Sequence, residues 1–102
     1  MGEFIKVAKV TDIGNGSMKG FVLGENKVLI ANVDGKFYAI EDTCPHMGAK
    51  LSKGLLFNRT ITCISHSAKF DVTTGQSAGD VTNKPVKVFE VRVNDGVVEV
   101  KL

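Results

Sequence analysis

The sequence predicts an all-β fold, a small antiparallel β-sandwich or barrel. Short runs rich in Val, Ile and Phe recur between turn signals, and no segment keeps a helical period. Asp34-Gly35 and Asn94-Asp95-Gly96 have the composition of tight hairpin turns, because these residues tolerate positive φ angles. With 102 residues, of which 43% are hydrophobic, the chain is expected to form a single domain, residues 1–102, around one core.

The predicted strands follow one another along the whole chain. Each combines β-branched or aromatic residues, which suit the pleated surface of a sheet. They cover residues 4–10, 21–23, 28–33, 37–41, 60–63, 69–72, 86–93 and 97–101. Residues 12–19 form a polar loop, since glycine, asparagine and serine cluster there. Residues 50–54 are expected to form a brief helical turn.

All cysteines and histidines of the chain fall into two pairs, Cys44 with His46 and Cys63 with His66. Thiolates and imidazoles are common ligands of zinc, copper and iron–sulfur centres, so the pattern predicts one metal centre. The spacings of two and three residues do not both suit one face of a strand or of a helix. Pro45 also biases Cys44 away from helical angles. We therefore expect two loops that each supply one sulfur and one nitrogen.

A disulfide between the two cysteines is an alternative, but it would leave both histidines without a role. Residues 1–10 contain no apolar run of the kind found in secretory signals, and no run is long enough to span a membrane. A reduced, cytoplasmic protein is therefore expected, with no membrane contact. The net charge of +2 is too small to predict binding to nucleic acid.

The residues around both pairs resemble those of a known family. Residues 34–46, DGKFYAIEDTCPH, resemble the hairpin and strand that lead into the first cluster-binding box of Rieske-type [2Fe-2S] proteins. Residues 47–49 and 51–54 resemble the continuation of that box. After the second box, Phe70-Asp71 and Thr74-Gly75 match two further motifs of the family. The resemblance extends over nearly the whole chain.

The resemblance implies a Rieske-type [2Fe-2S] cluster as the cofactor. Cys44 and Cys63 would bind one iron, and His46 and His66 would bind the other. Two neutral imidazoles in place of two thiolates make the cluster less negative, which raises its reduction potential above that of all-cysteine ferredoxins. The cluster-binding loops would lie at about residues 43–54 and 62–71, at one end of the β scaffold.

Four positions differ from the high-potential members of the family. Ala49 and Ser65 stand where those members carry a disulfide between the loops, and Ala68 and Phe70 stand where they carry serine and tyrosine. Neither Ala68 nor Phe70 has a side-chain donor to stabilise a reduced cluster. The potential is therefore expected near the low end of the Rieske range, about −150 mV.

The second box also differs from its usual form. Ile64 replaces a proline and Ser67 replaces a glycine. Either Ser67 adopts a glycine-like backbone angle and is strained, or the loop bends differently. The basic residues Lys50, Lys53 and Lys69, with Met47, Leu51 and Ile64 near the histidines, predict an apolar tip ringed by positive charge that would dock an acidic partner.

By family resemblance, the chain is an electron-transfer protein rather than an enzyme. It would be a soluble monomer that takes electrons from a flavoprotein reductase and delivers them to an oxygenase or a similar terminal enzyme. Two alternatives remain at this point. One is a small subunit of a larger reductase of the nitrite reductase type, and the other is a structural zinc module with two cysteine and two histidine ligands.

Overall fold

The computed structural model describes residues 3–45, 48–64, 67–79 and 84–102. Every strand pairing in these ranges is antiparallel, which confirms the predicted all-β class. The strands are β1 Phe4–Lys9, β2 Met18–Leu23, β3 Asn26–Val33, β4 Lys36–Glu41, β5 Leu55–Phe57, β6 Thr60–Thr62, β7 Lys69–Asp71, β8 Val88–Asn94 and β9 Val97–Lys101. The described helices are the 3-10 turns Val10–Asp12 and Leu51–Lys53, and the second confirms the predicted helical turn.

The strands form a large sheet and a small one. The large sheet has the order β1-β9-β8-β4-β3-β2, and the small sheet has the order β5-β6-β7. Strands β4 and β8 are joined only by the pairs Ala39–Phe89 and Ile40–Val88, so the large sheet consists of two well-paired parts that meet at a short seam. The small sheet and the connection before it carry both predicted cluster-binding loops.

Two hairpin turns have the backbone that the sequence predicts. Asp34 and Gly35 have φ angles of 54° and 85°, and Asp95 and Gly96 have φ angles of 51° and 74°. Two consecutive positive φ angles are typical of the type I′ turn, whose twist matches that of the strands it joins. Asn58, with a φ of 56°, begins the two-residue connection between β5 and β6, but Arg59 does not have a positive φ, so this turn is not of type I′.

The strands differ from the sequence prediction at several places, three of which have a clear structural cause. Strand β2 begins at Met18, because Met18 and the residue after it pair with the buried strand β3 and so override a polar local sequence. Strand β8 begins at Val88, since the backbone N–H of Val86 donates to Gly75 O at 2.8 Å instead of joining the sheet. Strand β5 was not predicted, because Leu55–Phe57 is short and has only one partner strand.

Strand β3 is buried on both faces and separates two apolar clusters. Leu29 and Ala31 belong to the first cluster, whereas Val28 and Ile30 belong to the second. This explains why residues 28–31 form a continuous apolar run rather than an alternating one. The first cluster also contains both cysteines, so the two predicted sulfur ligands lie in the core that β3 and β4 share with the small sheet.

In the described part of the chain, no helix has the length and apolar character needed to cross a membrane.

Candidate metal centre

The two cysteines lie at the starts of two loops and face the same core. Cys44 follows β4, Cys63 directly follows β6, and each is 1% exposed. Both belong to the first apolar cluster, and the structure gives both as thiols outside any disulfide. The predicted pair of sulfur ligands is therefore brought to one place, and the disulfide alternative is not supported.

The two loops are closed by the same backbone hydrogen bond. The N–H of Cys44 donates to Ala49 O at 2.7 Å, and the N–H of Cys63 donates to Ala68 O at 2.7 Å. Each bond joins residues that are five positions apart, so the two loops are closed in the same way. In the sequence, His46 is the third residue of its loop and His66 is the fourth. A loop that is tied back on itself holds its first residue in a fixed orientation, which suits a metal ligand.

The histidines of the predicted ligand set, His46 and His66, lie outside the described residues. Among the residues that the structure describes, no group of three or more metal-ligating side chains occurs. A four-ligand set would need both histidines, so the cysteine half is located and the histidine half stays a prediction. The structure describes Pro45, Ile64 and Ser67, which are close to the two histidines in sequence. It therefore shows where the two loops run but not where the imidazoles lie.

The fifth residue of each loop has a positive φ angle. Gly48 has a φ of 76° and Ser67 has a φ of 58°. Ser67 thus occupies the left-handed region in the place that glycine fills in the first loop, which confirms the expected strain. A Cβ added to Gly48 would meet nothing within 4 Å, so only the backbone angle opposes a larger residue there.

Gly48→Ala and Ser67→Gly are expected to have different effects on stability. Alanine at position 48 is expected to lower the free energy of unfolding by about 1 kcal/mol, because the left-handed angle costs more than the restricted unfolded chain gains. Glycine at position 67 should change it by less than about 0.5 kcal/mol, since relief of strain offsets the added chain entropy. Urea unfolding of both variants measures the difference, and equal losses would contradict this account.

A buried carboxylate closes the base of the first loop. Asp42 is 2% exposed, and its carboxylate accepts hydrogen bonds from the backbone N–H of Ser52 at 2.7 Å and from Ser52 Oγ at 2.6 Å. Gly20 on β2 makes room for this contact, because a Cβ there would overlap Asp42 Oδ2. Asp42 therefore ties the chain before Cys44 to the 3-10 turn that ends the loop.

A second carboxylate, Asp71 at the end of β7, braces the turn after the second loop. Its Oδ1 accepts from the backbone N–H of Thr73 at 2.9 Å and from Thr73 Oγ1 at 2.6 Å, and its Oδ2 lies 3.1 Å from Arg59 Nε. Partial burial raises the pKa of Asp71, but the Thr73 hydrogen bonds, Arg59 and a backbone bond from Thr74 together outweigh that effect and lower the pKa below 3.8.

This lowered pKa predicts an acid-dependent loss of stability. Since Asp71 has a lower pKa folded than unfolded, its carboxylate stabilises the fold above the unfolded pKa and loses this effect as the pH falls. Asp71→Asn should unfold in less urea at neutral pH, by about 1 kcal/mol, and the difference from the unchanged protein should shrink between about pH 5 and pH 2. A difference that stays constant over this pH range would contradict the assigned cause.

Gly54 allows the two loops to approach closely. It follows the 3-10 turn that ends the first loop, and a Cβ there would overlap the carbonyl oxygen of Thr62, the residue before Cys63. The same Cβ would lie 3.2 Å from Leu51 O. The backbones that carry the two predicted sulfur ligands are therefore packed directly against each other.

The structure separates the residues of the predicted docking tip. Leu51 is 0% exposed and belongs to the core, so its predicted place at the tip is wrong. Lys50 lines a cavity of about 90 Å³ beside β2, with Gly20 and Asp42. Lys53 and Ile64 instead line a cavity of about 300 Å³ next to Cys63. Met47 lies outside the described residues.

Comparison with known proteins identifies the class to which this fold and these loops belong. The family model of the Rieske [2Fe-2S] domain matches residues 3–90. The chain therefore belongs to the Rieske [2Fe-2S] family, and its cofactor is a Rieske-type [2Fe-2S] cluster. The described residues fit that group, because two buried thiols in one core are the sulfur donors that such a cluster needs.

The relatives include ferredoxin components of dioxygenase systems. The chain is 35% identical over 97 residues to the ferredoxin component of biphenyl 2,3-dioxygenase from Rhodococcus jostii (strain RHA1), which covers 95% of this chain and 91% of that protein. It is 37% identical over 98 residues to ferredoxin CarAc from Metapseudomonas resinovorans, with coverages of 95% and 92%.

The solved structures agree with these relatives. A chain in the complex of reduced oxygenase and oxidized ferredoxin of carbazole 1,9a-dioxygenase matches with a TM-score of 0.91 and 36% identity, covering 96% of this chain and 92% of that one. The ferredoxin of carbazole 1,9a-dioxygenase from Nocardioides aromaticivorans IC177 matches with a TM-score of 0.91 and 26% identity, covering 95% of each chain.

Three features of the structure were not predicted from the sequence. They are strand β5, the close approach at Gly54 and the contact of Asp42 with Ser52. Residues 51–54, LSKG, resemble a motif of the family, but only the structure shows that Ser52 contacts Asp42 and that Gly54 contacts Thr62. A glycine directly after a short turn was the available signal of a close approach.

Proposed function

We propose that this protein is a one-electron carrier whose cluster is held by Cys44 and Cys63 on one iron and by His46 and His66 on the other. The observation that carries the ligand proposal is the convergence of two buried cysteines, at the starts of two equivalent loops, on one apolar cluster. The chemistry of the donors also fits, because two thiolates and two imidazoles make up the Rieske ligand set.

When bound, the cluster supplies the redox chemistry by gaining and losing one electron. The chain itself would bind the cluster, orient it and shield it from water. Cys44 and Cys63 would bind as thiolates, and their burial excludes water from the sulfur side of the site. Ala68 and Phe70, both 0% exposed, add apolar walls without side-chain donors. Ile64 is 71% exposed next to Cys63, so the second loop offers an exposed route to a redox partner.

Its relatives, which include ferredoxin components of dioxygenase systems, support a place in such a system. An oxygenase is the proposed acceptor of its electrons, and a flavoprotein reductase is the proposed donor. A carrier that must exchange partners is best served by a monomer, and we propose that it works in the cytoplasm as a component of the system rather than as an enzyme on its own.

The cluster and its ligands can be tested on one preparation. Protein purified without oxygen is expected to contain about two irons and two inorganic sulfides per chain, and to show visible absorption and a reduced-state paramagnetic spectrum with nitrogen couplings. Colourless protein with stoichiometric zinc would instead support the structural zinc module. Co-purification with a large catalytic chain would support the reductase subunit.

The low expected potential has its own test in Ala68→Ser and Phe70→Tyr. Each variant adds a hydroxyl to the apolar cluster that contains both cysteines. A hydroxyl that donates to sulfur stabilises the reduced, more negative cluster, so each midpoint potential should rise by about 60 mV, which corresponds to a tenfold bias toward reduction. Redox titration measures the shift, and Phe70→Leu, which adds no donor, should leave the potential in place. Unchanged potentials in both hydroxyl variants with the cluster intact would refute the argument.

A further inference from the structure

The three most exposed large apolar side chains of the described part lie close together in sequence. Phe57, Leu55 and Ile64 are 77%, 74% and 71% exposed. The other exposed large apolar residues among those described range from 37% to 66% and are spread over β1, β2, β8 and the C-terminus. We call Leu55, Phe57 and Ile64 the apolar stripe. Contiguous exposed apolar surface on a small protein is typical of an interaction site.

The small sheet presents the apolar stripe on its outer face. Successive side chains of a strand alternate between faces, so Leu55 and Phe57 lie on one face of the edge strand β5 while Leu56 lies on the other. Leu56 pairs with Ile61, which pairs with Phe70, and both of these partners are 0% exposed. The inner face of the small sheet therefore packs against the core, and its outer face is exposed to solvent.

The apolar stripe leads to the second cluster-binding loop. Leu55 pairs across the sheet with Thr62, the residue before Cys63. Leu55, Cys63 and Ile64 also line one open cavity of about 300 Å³. A partner that covered the apolar stripe would thus lie directly against the loop that carries one of the proposed sulfur ligands.

The charge around the apolar stripe is positive. Lys53 is exposed and lines the same cavity, and Lys69 is exposed at the end of the row formed by Leu55 and Thr62. The negative charge of Asp71 on this face is compensated by its ion pair with Arg59. In the described residues of this face, the two lysines therefore give the charge that a docking surface would meet.

We propose that the apolar stripe, with Lys53 and Lys69, is part of the docking surface for the electron acceptor, an oxygenase surface on which carboxylates surround an apolar patch. This inference rests on the proposed function. A second copy of the chain is the less favoured occupant, because it would bring the same lysines against each other. The acceptor is favoured because apolar contact and opposite charge are both satisfied beside the second loop.

The test uses the reduced holoprotein and the terminal oxygenases of the carbazole, biphenyl and naphthalene dioxygenase systems as probes. Leu55→Ser with Phe57→Ser, and separately Lys53→Glu with Lys69→Glu, are each expected to slow electron transfer to the accepting oxygenase about tenfold. The loss in the charge variant should shrink at high salt, because salt screens the lysines.

Matched controls separate docking from damage. Val22→Ser removes an apolar side chain that is 66% exposed on β2, and Lys6→Glu reverses an exposed charge on β1. Both should transfer electrons within about twofold of the unchanged protein, since they lie outside the proposed surface. All variants should keep full iron content and the same oxidation rate with ferricyanide, a small reagent that needs no docking surface.

Each result has a definite meaning. Full transfer rates in both double variants, with the unchanged protein active, would overturn this inference alone. If the unchanged protein is a dimer and the double variant Leu55→Ser with Phe57→Ser is a monomer, the inference is overturned, and a second copy of the chain covers the apolar stripe. Failure of the unchanged holoprotein to reduce any of the three oxygenases would overturn the proposed function, and the inference with it.

Discussion

Replacing Cys63 by alanine is expected to abolish the cluster. The variant should fall from about two irons per chain to almost none and lose its visible absorption, because one iron would keep only one protein sulfur ligand. Cys44→Ala should do the same. Each substitution removes only one sulfur atom from a buried site, so the direct loss of packing is about 1 kcal/mol. Iron and sulfide assays and the absorption spectrum measure the result.

Val72→Ala is the matched control for the cysteine variants. Val72 is 0% exposed in the same apolar cluster, and its truncation leaves a comparable cavity without removing a ligand. This variant should lose some stability and keep its iron. Stoichiometric iron in Cys63→Ala, or loss of iron in Val72→Ala at unchanged fold, would contradict the ligand assignment.

Of the glycine substitutions proposed for Gly14, Gly48 and Gly54, Gly54→Ala should have the largest effect on stability. The added Cβ would overlap Thr62 O and lie 3.0 Å from the carbonyl carbon of the same residue. Both contacts are with backbone, so no change of rotamer can relieve them. We expect the free energy of unfolding to fall by about 3 kcal/mol and the melting temperature to fall by on the order of 15 °C. Thermal and urea unfolding measure both quantities.

Gly14→Ala is the control for that substitution. A Cβ at Gly14 would come no closer than 3.9 Å to Ser17 Oγ, and its φ angle is not in the left-handed region. It should therefore change stability by less than about 1 kcal/mol. Because the Gly54 contact joins the end of the first loop to the start of the second, Gly54→Ala should also bind its cluster less firmly. A variant as stable as Gly14→Ala would show that the loops tolerate separation.

Much of the fold could be predicted from local sequence. The hairpin turns at Asp34-Gly35 and Asp95-Gly96 were predicted because their backbone angles depend on the residues within them. The run at residues 28–31 likewise marks a buried strand. The metal centre was predicted from the pairing of rare ligand types, and the cysteines lie together as expected.

The remaining features depend on contacts between distant segments. Strand β5 exists because Leu56 can pack against the core when its hairpin partner Ile61 is buried, and neither residue shows this in its local sequence. The bond between Asp42 and Ser52 needs a glycine on another strand to leave room. The exposure of Leu55 and Phe57 was not predictable either, because an apolar residue in a short strand is usually read as part of the core.

The double burial of β3 has a consequence for the redox reaction. Since neighbouring residues Leu29 and Ile30 belong to different apolar clusters, β3 packs against both clusters. We therefore expect the whole domain to unfold cooperatively, without a less stable part around the two thiols. A frame around Cys44 and Cys63 that packs into this core would change little in shape when charge arrives, which would keep the reorganisation energy of the transfer small.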